Sequence, residues 1–248
     1  MSLDLSLVIP LHNEERNVAP LHEELMRVLR TMTLRHEVIF IDDGSTDGTF
    51  AQLQQVQAMD GNVRVIRFTK NFGQTAAFAA GFAYARGQFI VTLDGDLQND
   101  PADIPRLVEL ARRYDIVCGW RKDRKDDFLT RHVPSVAANW LLGLVSGVRI
   151  HDNGCSLKVF RSEVVKPLKL RPGMHRYLPA LASQLGGRVT EVVVNHRPRQ
   201  FGQSKYGLSR TFKVVADLTR LRGLMRQAID PQADTATLYE VAEIVETR

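Results

Sequence analysis

Four short apolar runs set the fold of this chain: "LSLVIP" (Leu5–Pro10), "HEVIFI" (His36–Ile41), "VRVIRF" (Val63–Phe68) and "FIVTL" (Phe89–Leu93). Each has the length and composition of a buried strand. Between the first two, Val18, Leu21, Leu25, Val28 and Leu29 recur at close to helical spacing, which predicts a helix within Asn13–Thr31. Further helices are predicted over Thr49–Ala58 and over the alanine-rich Thr75–Ala85. The result is a β-α-β-α-β-α-β alternation. Right-handed crossovers make such a chain an α/β protein with a mostly parallel, doubly wound sheet flanked by helices. Sheets of this kind bind ligands outside the carboxyl ends of their strands. Here those ends carry Pro10–Glu14, Asp42–Asp43 and Asp94–Asp96, so the unusual residues converge on one edge.

The second half is less regular. Strands are predicted at Ile116–Trp120, Cys155–Phe160 and Val189–His196, and helices over Val133–Val148 and Phe212–Met225. With no repeat, low-complexity tract or clear linker, the economical reading is a single catalytic domain over residues 1–230 and a short polar tail over 231–248. A chain of 248 residues is long enough for a sizeable core. No apolar run reaches the ~18–20 residues that span a bilayer. The N-terminus enters a strand at once, without a basic region and cleavage site, which predicts no secretory leader. Cys118 and Cys155 share no metal-type spacing, and a reduced cytosolic setting follows. The net charge of +5 suits an anionic partner. Basic residues are not interleaved with exposed aromatics, so nucleic acid is not the expected one.

Asp94-Gly95-Asp96 with Gln98 places two carboxylates and an amide at the end of a buried strand. Hard oxygen donors in that arrangement suit Mg²⁺ or Mn²⁺, whose shell is usually completed by substrate phosphates. The plainer alternative is an Asp-rich turn capping the next helix. The cluster "DDGSTDG" begins with Asp42-Asp43 and supplies turn and cap residues from Ser45 to Gly48. A turn does not account for the carboxylate pair, which could accept from a base N–H or a ribose hydroxyl.

Taken in order, "VIPLHNEERN", "IDDGSTDGT", "KNFGQTAAFAAGF", "LDGDLQNDP", "DNGCSLKVFR" and "RQFGQSKY" resemble the family 2 glycosyltransferases of GT-A fold. Within that family they resemble the polyprenyl-phosphate sugar transferases, over roughly Leu5 to Leu218. The resemblance implies that Pro10, His12, Glu14, Asp42 and Asp43 hold the nucleotide's base and ribose. It implies that Asp94, Asp96 and Gln98 hold the metal and diphosphate, and that Arg199 and Lys205 close over the diphosphate. Gly95 stands where the family more often has alanine, a change expected to be neutral. Arg121 and Arg131 match the family's acceptor-loop arginines. Asp152, in "HDNGC", is not part of the Glu-Asp pair that supplies a base in hydroxyl-glycosylating relatives. It either orients the acceptor or the metal shell, or caps a turn.

The expected reaction is therefore an inverting, metal-dependent transfer from a nucleotide-sugar to a polyprenyl phosphate. A UDP-sugar such as UDP-glucose is favoured over GDP-mannose. The alternatives are a hydroxyl-directed family 2 transferase acting on a glycan or protein, and a non-catalytic scaffold. As a helix, Val133–Val148 reaches only ~24 Å, short of a ~30 Å hydrocarbon core, so it is expected to lie on the membrane surface or in the core. Residues 210–226 form a second amphipathic candidate. Together they predict peripheral attachment to the cytoplasmic face of the membrane, or association with a separate membrane subunit or a second copy of the chain.

Overall fold

A computed structural model describes residues 3–122, 143, 147–200, 223, 226–230 and 238–247. The first half follows the expected alternation: β1 (Leu3–Leu11), α1 (Glu15–Leu29), β2 (His36–Asp42), α2 (Thr49–Met59), β3 (Val63–Phe68), α3 (Gln74–Tyr84) and β4 (Gly87–Thr92). Then come α4 (Ile104–Ala111), β5 (Ile116–Trp120), β6 (Lys158–Arg161), α5 (Ser162–Val165), α6 (Leu178–Gln184), β7 (Val189–Val193) and β8 (Val241–Val245).

Among the described residues these strands form one eight-stranded sheet in the order β7-β5-β6-β4-β1-β2-β3-β8. Strands β3, β2, β1 and β4 run parallel. β6 lies antiparallel between β4 and β5, and β7 is parallel to β5. Consequently β1, β2, β4 and β5 all end on the same edge of the sheet.

The alternation along β1 explains the layering. Leu5, Leu7, Ile9 and Leu11 belong to an apolar cluster with α1, α2 and α4, while Val8 belongs to the opposite cluster with α3 and α6. α3 is buried on most of its circumference, which its run of alanines permits. Gly81 lets it lie directly on β1, since a Cβ there would collide with Val8.

The strand at the far edge differs from the sequence reading. Residues 231–248 read as a polar tail, yet Val241–Val245 pairs antiparallel with β3. The ion pairs Arg64–Glu246 (2.7 Å) and Arg86–Glu246 (3.1 Å) fasten its end. A strand of five residues on a sheet edge buries little, so its sequence lacks the apolar signature of β1 or β2.

The turn after β2 depends on Gly44. Its φ is +63°, and a Cβ would run into the backbone of Lys70 and Asn71. Backbone cannot retreat as a side chain end can. Gly44→Ala is expected to cost at least about 2 kcal/mol, read as a lower urea midpoint with unchanged slope.

Candidate active site

The loops after β1 and β2 are stitched together. Thr46 N–H donates to Asn13 Oδ1 (2.8 Å), Asn13 N–H to Ser45 Oγ (3.0 Å) and Glu14 N–H to Thr49 Oγ1 (2.9 Å). Asn13 adopts φ +54° to make these bonds. Asp42 is fully buried, accepts from Ser45 N–H (3.0 Å) and pairs with Arg67 (3.5 Å). Asp43 reaches the other way: its two oxygens accept from Phe72 N–H (2.7 Å) and Gly73 N–H (2.9 Å) at the start of α3. Burial raises the Asp43 pKa, with those two amides working against the rise. The His12 ring donates from Nδ1 to the Asp43 carbonyl (2.9 Å), which fixes its tautomer. The carboxylate pair thus ties the loop after β2 to β3 and to the segment that leads into α3.

At the end of β4 the chain bends through Leu97, buried at φ +62°, a conformation that leucine adopts only when its surroundings impose it. Such strain clusters where a side chain must be aimed. Asp94 Oδ1 accepts from Gln74 Nε2 (2.7 Å), and Asp94 N–H donates to Asn99 Oδ1 (3.2 Å), which also accepts from Ser156 Oγ (2.8 Å). Asp96 Oδ1 accepts from Gln98 N–H (3.1 Å), and its Oδ2 meets Arg199 Nη2 at 2.6 Å. The same guanidinium lies 3.8 Å from Glu14 Oε1. The Gln98 side chain donates to the Arg197 carbonyl (3.4 Å), and Arg197 is itself anchored by Glu24 and Asp100, both at 2.6 Å.

Burial first, and then the neighbouring Asp96 charge, push the Asp94 pKa up to about 6; Ser156, Arg121 and Lys158 pull against them. A buried carboxylate whose ionisation is made costlier by a neighbouring negative charge is a site that gains from a cation. No group of three or more His, Cys, Asp or Glu side chains is arranged to hold a metal among the described residues. Asp94 and Asp96, with the Gln98 amide beside them, are hard oxygen donors of the kind that suit Mg²⁺ or Mn²⁺ held by one or two carboxylates and completed by ligand oxygens. Gly95, expected to exchange freely with alanine, is in fact tight: a Cβ there would press into Leu11.

At the end of β5, Arg121 and Asp152 form a two-pronged pair: Nε to Oδ2 at 2.7 Å and Nη2 to Oδ1 at 3.0 Å, with Arg121 N–H adding a third bond at 3.3 Å. Their side chains are only 11% and 14% exposed, which makes this a desolvated pair. Burial opposes both charges, but each partner more than compensates the other: Asp152 falls below the usual carboxylate range and Arg121 rises above its own. Asp152 is thus a counter-ion that fixes Arg121, and a poor proton acceptor.

Arg131 and Lys205 lie outside the described residues. So do the expected helices over 133–148 and 210–226, apart from Gly143, Gly147, Val148, Gly223 and Arg226. No described helix is long and apolar enough to cross a membrane.

The profile of glycosyl transferase family 2 matches residues 6–168, about two thirds of the chain, including the whole β1–β4 edge and the Arg121–Asp152 pair. The chain belongs to that family. Among its relatives, this family 2 transferase is 46% identical over 235 residues to the dodecaprenyl-phosphate galacturonate synthase of Rhizobium johnstonii, covering 93% of this chain and 70% of that one. It is 35% identical over 216 residues to the undecaprenyl-phosphate 4-deoxy-4-formamido-L-arabinose transferase of Edwardsiella ictaluri, covering 86% and 66%. In fold it resembles glucosyl-3-phosphoglycerate synthase from Mycobacterium tuberculosis, solved in complex with Mn²⁺, UDP and glucosyl-3-phosphoglycerate. The TM-score is 0.67 at 17% identity, covering 89% of this chain and 80% of that one. The resemblance drawn from the six motifs is thereby confirmed.

Several residues that shape the site went unread in the sequence. Gln74 and Asn99 sit inside quoted motifs, but nothing local reveals that both serve Asp94. Lys158 and Glu191 left a better trace: each is a charged residue within an apolar strand segment. A charge there needs a partner, and each has one on the loop that carries Asp152.

Proposed function

We propose that this family 2 transferase moves a sugar from a UDP-sugar to a polyprenyl phosphate, with inversion, at the cytoplasmic face of the membrane. The observation that carries the reading is the pairing of Arg121 with Asp152. A hydroxyl acceptor must lose a proton and calls for a general base. The carboxylate standing in that place spends both oxygens on a buried guanidinium. A lipid phosphate is anionic at neutral pH and needs a cation instead.

In this reading the phosphate oxygen attacks the anomeric carbon as its bond to the diphosphate breaks, and the nucleoside diphosphate departs. Arg199 and Lys205 would meet the charge that grows on the leaving group, and Arg121 and Arg131 the acceptor's. Pro10, His12, Glu14, Asp42 and Asp43 would border the base and ribose. A divalent cation held by Asp94 and Asp96, with Gln98 beside them, would supply further charge neutralisation at the diphosphate. The rhizobial relative makes UDP-galacturonate the first donor to test, ahead of UDP-glucose. Attachment to the membrane would be peripheral, through residues 133–148 and 210–226.

Calorimetric titration with UDP and GDP, each with Mn²⁺ and with EDTA, tests the donor half. Metal-dependent binding of UDP alone is expected, followed by transfer of labelled sugar to undecaprenyl phosphate. Transfer to a glycan or protein hydroxyl, with none to the lipid, would refute the acceptor assignment.

A further inference from the structure

We infer that Glu191 is a positioning residue for the acceptor side of the site, acting through Asp152 on Arg121. The inference rests on the acceptor reading above. Glu191 lies on β7, in register with Cys118 of β5, and its side chain is 13% exposed. It touches neither Arg121 nor the Asp94–Asp96 turn through any described hydrogen bond. What it grips is the loop between them: Oε1 accepts from His151 N–H (2.6 Å) and from Asp152 N–H (3.4 Å), and Oε2 meets His151 Nδ1 (2.8 Å). The imidazole so held stacks on Trp120, 4.2 Å between ring centres and 14° from parallel.

A second tether comes from the other side. Lys158, buried on β6, donates its ammonium to the carbonyls of Asn153 and Cys155. Among the described residues no strand pairs with the loop 151–155; instead a carboxylate takes the His151 and Asp152 amides and an ammonium takes the Asn153 and Cys155 carbonyls. Between the two tethers the loop wraps the guanidinium closely: a Cβ on Gly154 would stand 3.3 Å from Arg121 Nη2. Arg121 is therefore aimed by a carboxylate whose own backbone position Glu191 sets. Loss of that hold would let the pair rotate without unfolding the sheet.

The test is a double-mutant cycle of Glu191→Gln and Arg121→Ala, with steady-state kinetics on UDP-sugar and undecaprenyl phosphate. In the parent protein Glu191→Gln is expected to raise acceptor KM about tenfold, leaving donor KM and Mn²⁺-dependent UDP binding within about twofold. On the Arg121→Ala background the same change should move acceptor KM less than about twofold. Equal effects on both backgrounds, or a parallel loss of UDP binding, would overturn the inference and leave Glu191 a general structural residue. Acrylamide quenching of Trp120 in a Trp140→Phe background reads the tether without any activity. Glu191→Gln should expose Trp120 measurably, and an unchanged quenching constant refutes the tether itself. A parent protein that transfers nothing to the lipid, with quenching as expected, sinks the acceptor reading and leaves the tether standing.

Discussion

Asp96→Asn is expected to lower turnover by about a thousandfold and to abolish Mn²⁺-dependent UDP binding, while the protein stays folded. Asparagine is nearly isosteric and keeps an oxygen for Gln98 N–H, which Asp96 accepts at 3.1 Å. What it removes is the charge that Arg199 meets at 2.6 Å and that a divalent cation would use. The same change relieves Asp94 of a repelling neighbour, so the Asp94 pKa should fall from about 6 towards the usual carboxylate range. Loss of ligand binding together with unchanged or improved thermal stability is the signature of a functional charge held at a cost. An Asp96→Asn protein that still binds UDP with Mn²⁺ and turns over normally would show the carboxylates to be a turn cap.

The second large effect concerns Asp152. Asp152→Ala leaves Arg121 buried and without its two-pronged partner, at a cost of about 3–5 kcal/mol. Chemical denaturation measures this directly. Asp152→Asn distinguishes the pair from a general base. As a base, its loss would abolish turnover and remove the acidic limb of the pH–rate profile. As the counter-ion of Arg121, its loss should raise acceptor KM and leave that limb in place. The pH dependence of stability has a definite sign as well. The folded pKa of Asp152 lies below its ordinary value of 3.8, so its stabilisation is full above that value and is lost as pH falls through the folded pKa. The Asn variant should lack this acid-labile component.

The legibility of the two halves of the site differs for a physical reason. The proposed donor side is made by local sequence. β1, β2 and β4 are apolar runs whose ends are marked by the residues that follow, so Glu14, Asp42, Asp43, Asp94 and Asp96 could be placed on one edge from alternation alone. The strand spans Val63–Phe68 and Ile116–Trp120 match the expectation residue for residue. The proposed acceptor side is made by contacts between distant segments. Arg121 and Asp152 are 31 residues apart, Glu191 lies 39 beyond Asp152, and no local pattern announces their meeting. Antiparallel insertion of β6 and the edge pairing of β8 are hidden for the same reason: a strand's sequence reports its burial, not its neighbour or its direction.

The sequence by itself determined the α/β alternation, the family and the row of carboxylates on one sheet edge, because periodicity and motif order are local properties of the chain. The tertiary structure alone decided how those groups are used. It gave Asp43 to the start of α3 and Gln74 to Asp94. It made Asp152, read as orienting the acceptor or the metal shell or as capping a turn, the counter-ion of Arg121, and it made Gly95 a tight fit against Leu11. Each of those outcomes depends on which side chain arrives from elsewhere, and in a desolvated site a single arriving charge outweighs what the neighbouring residues would do alone.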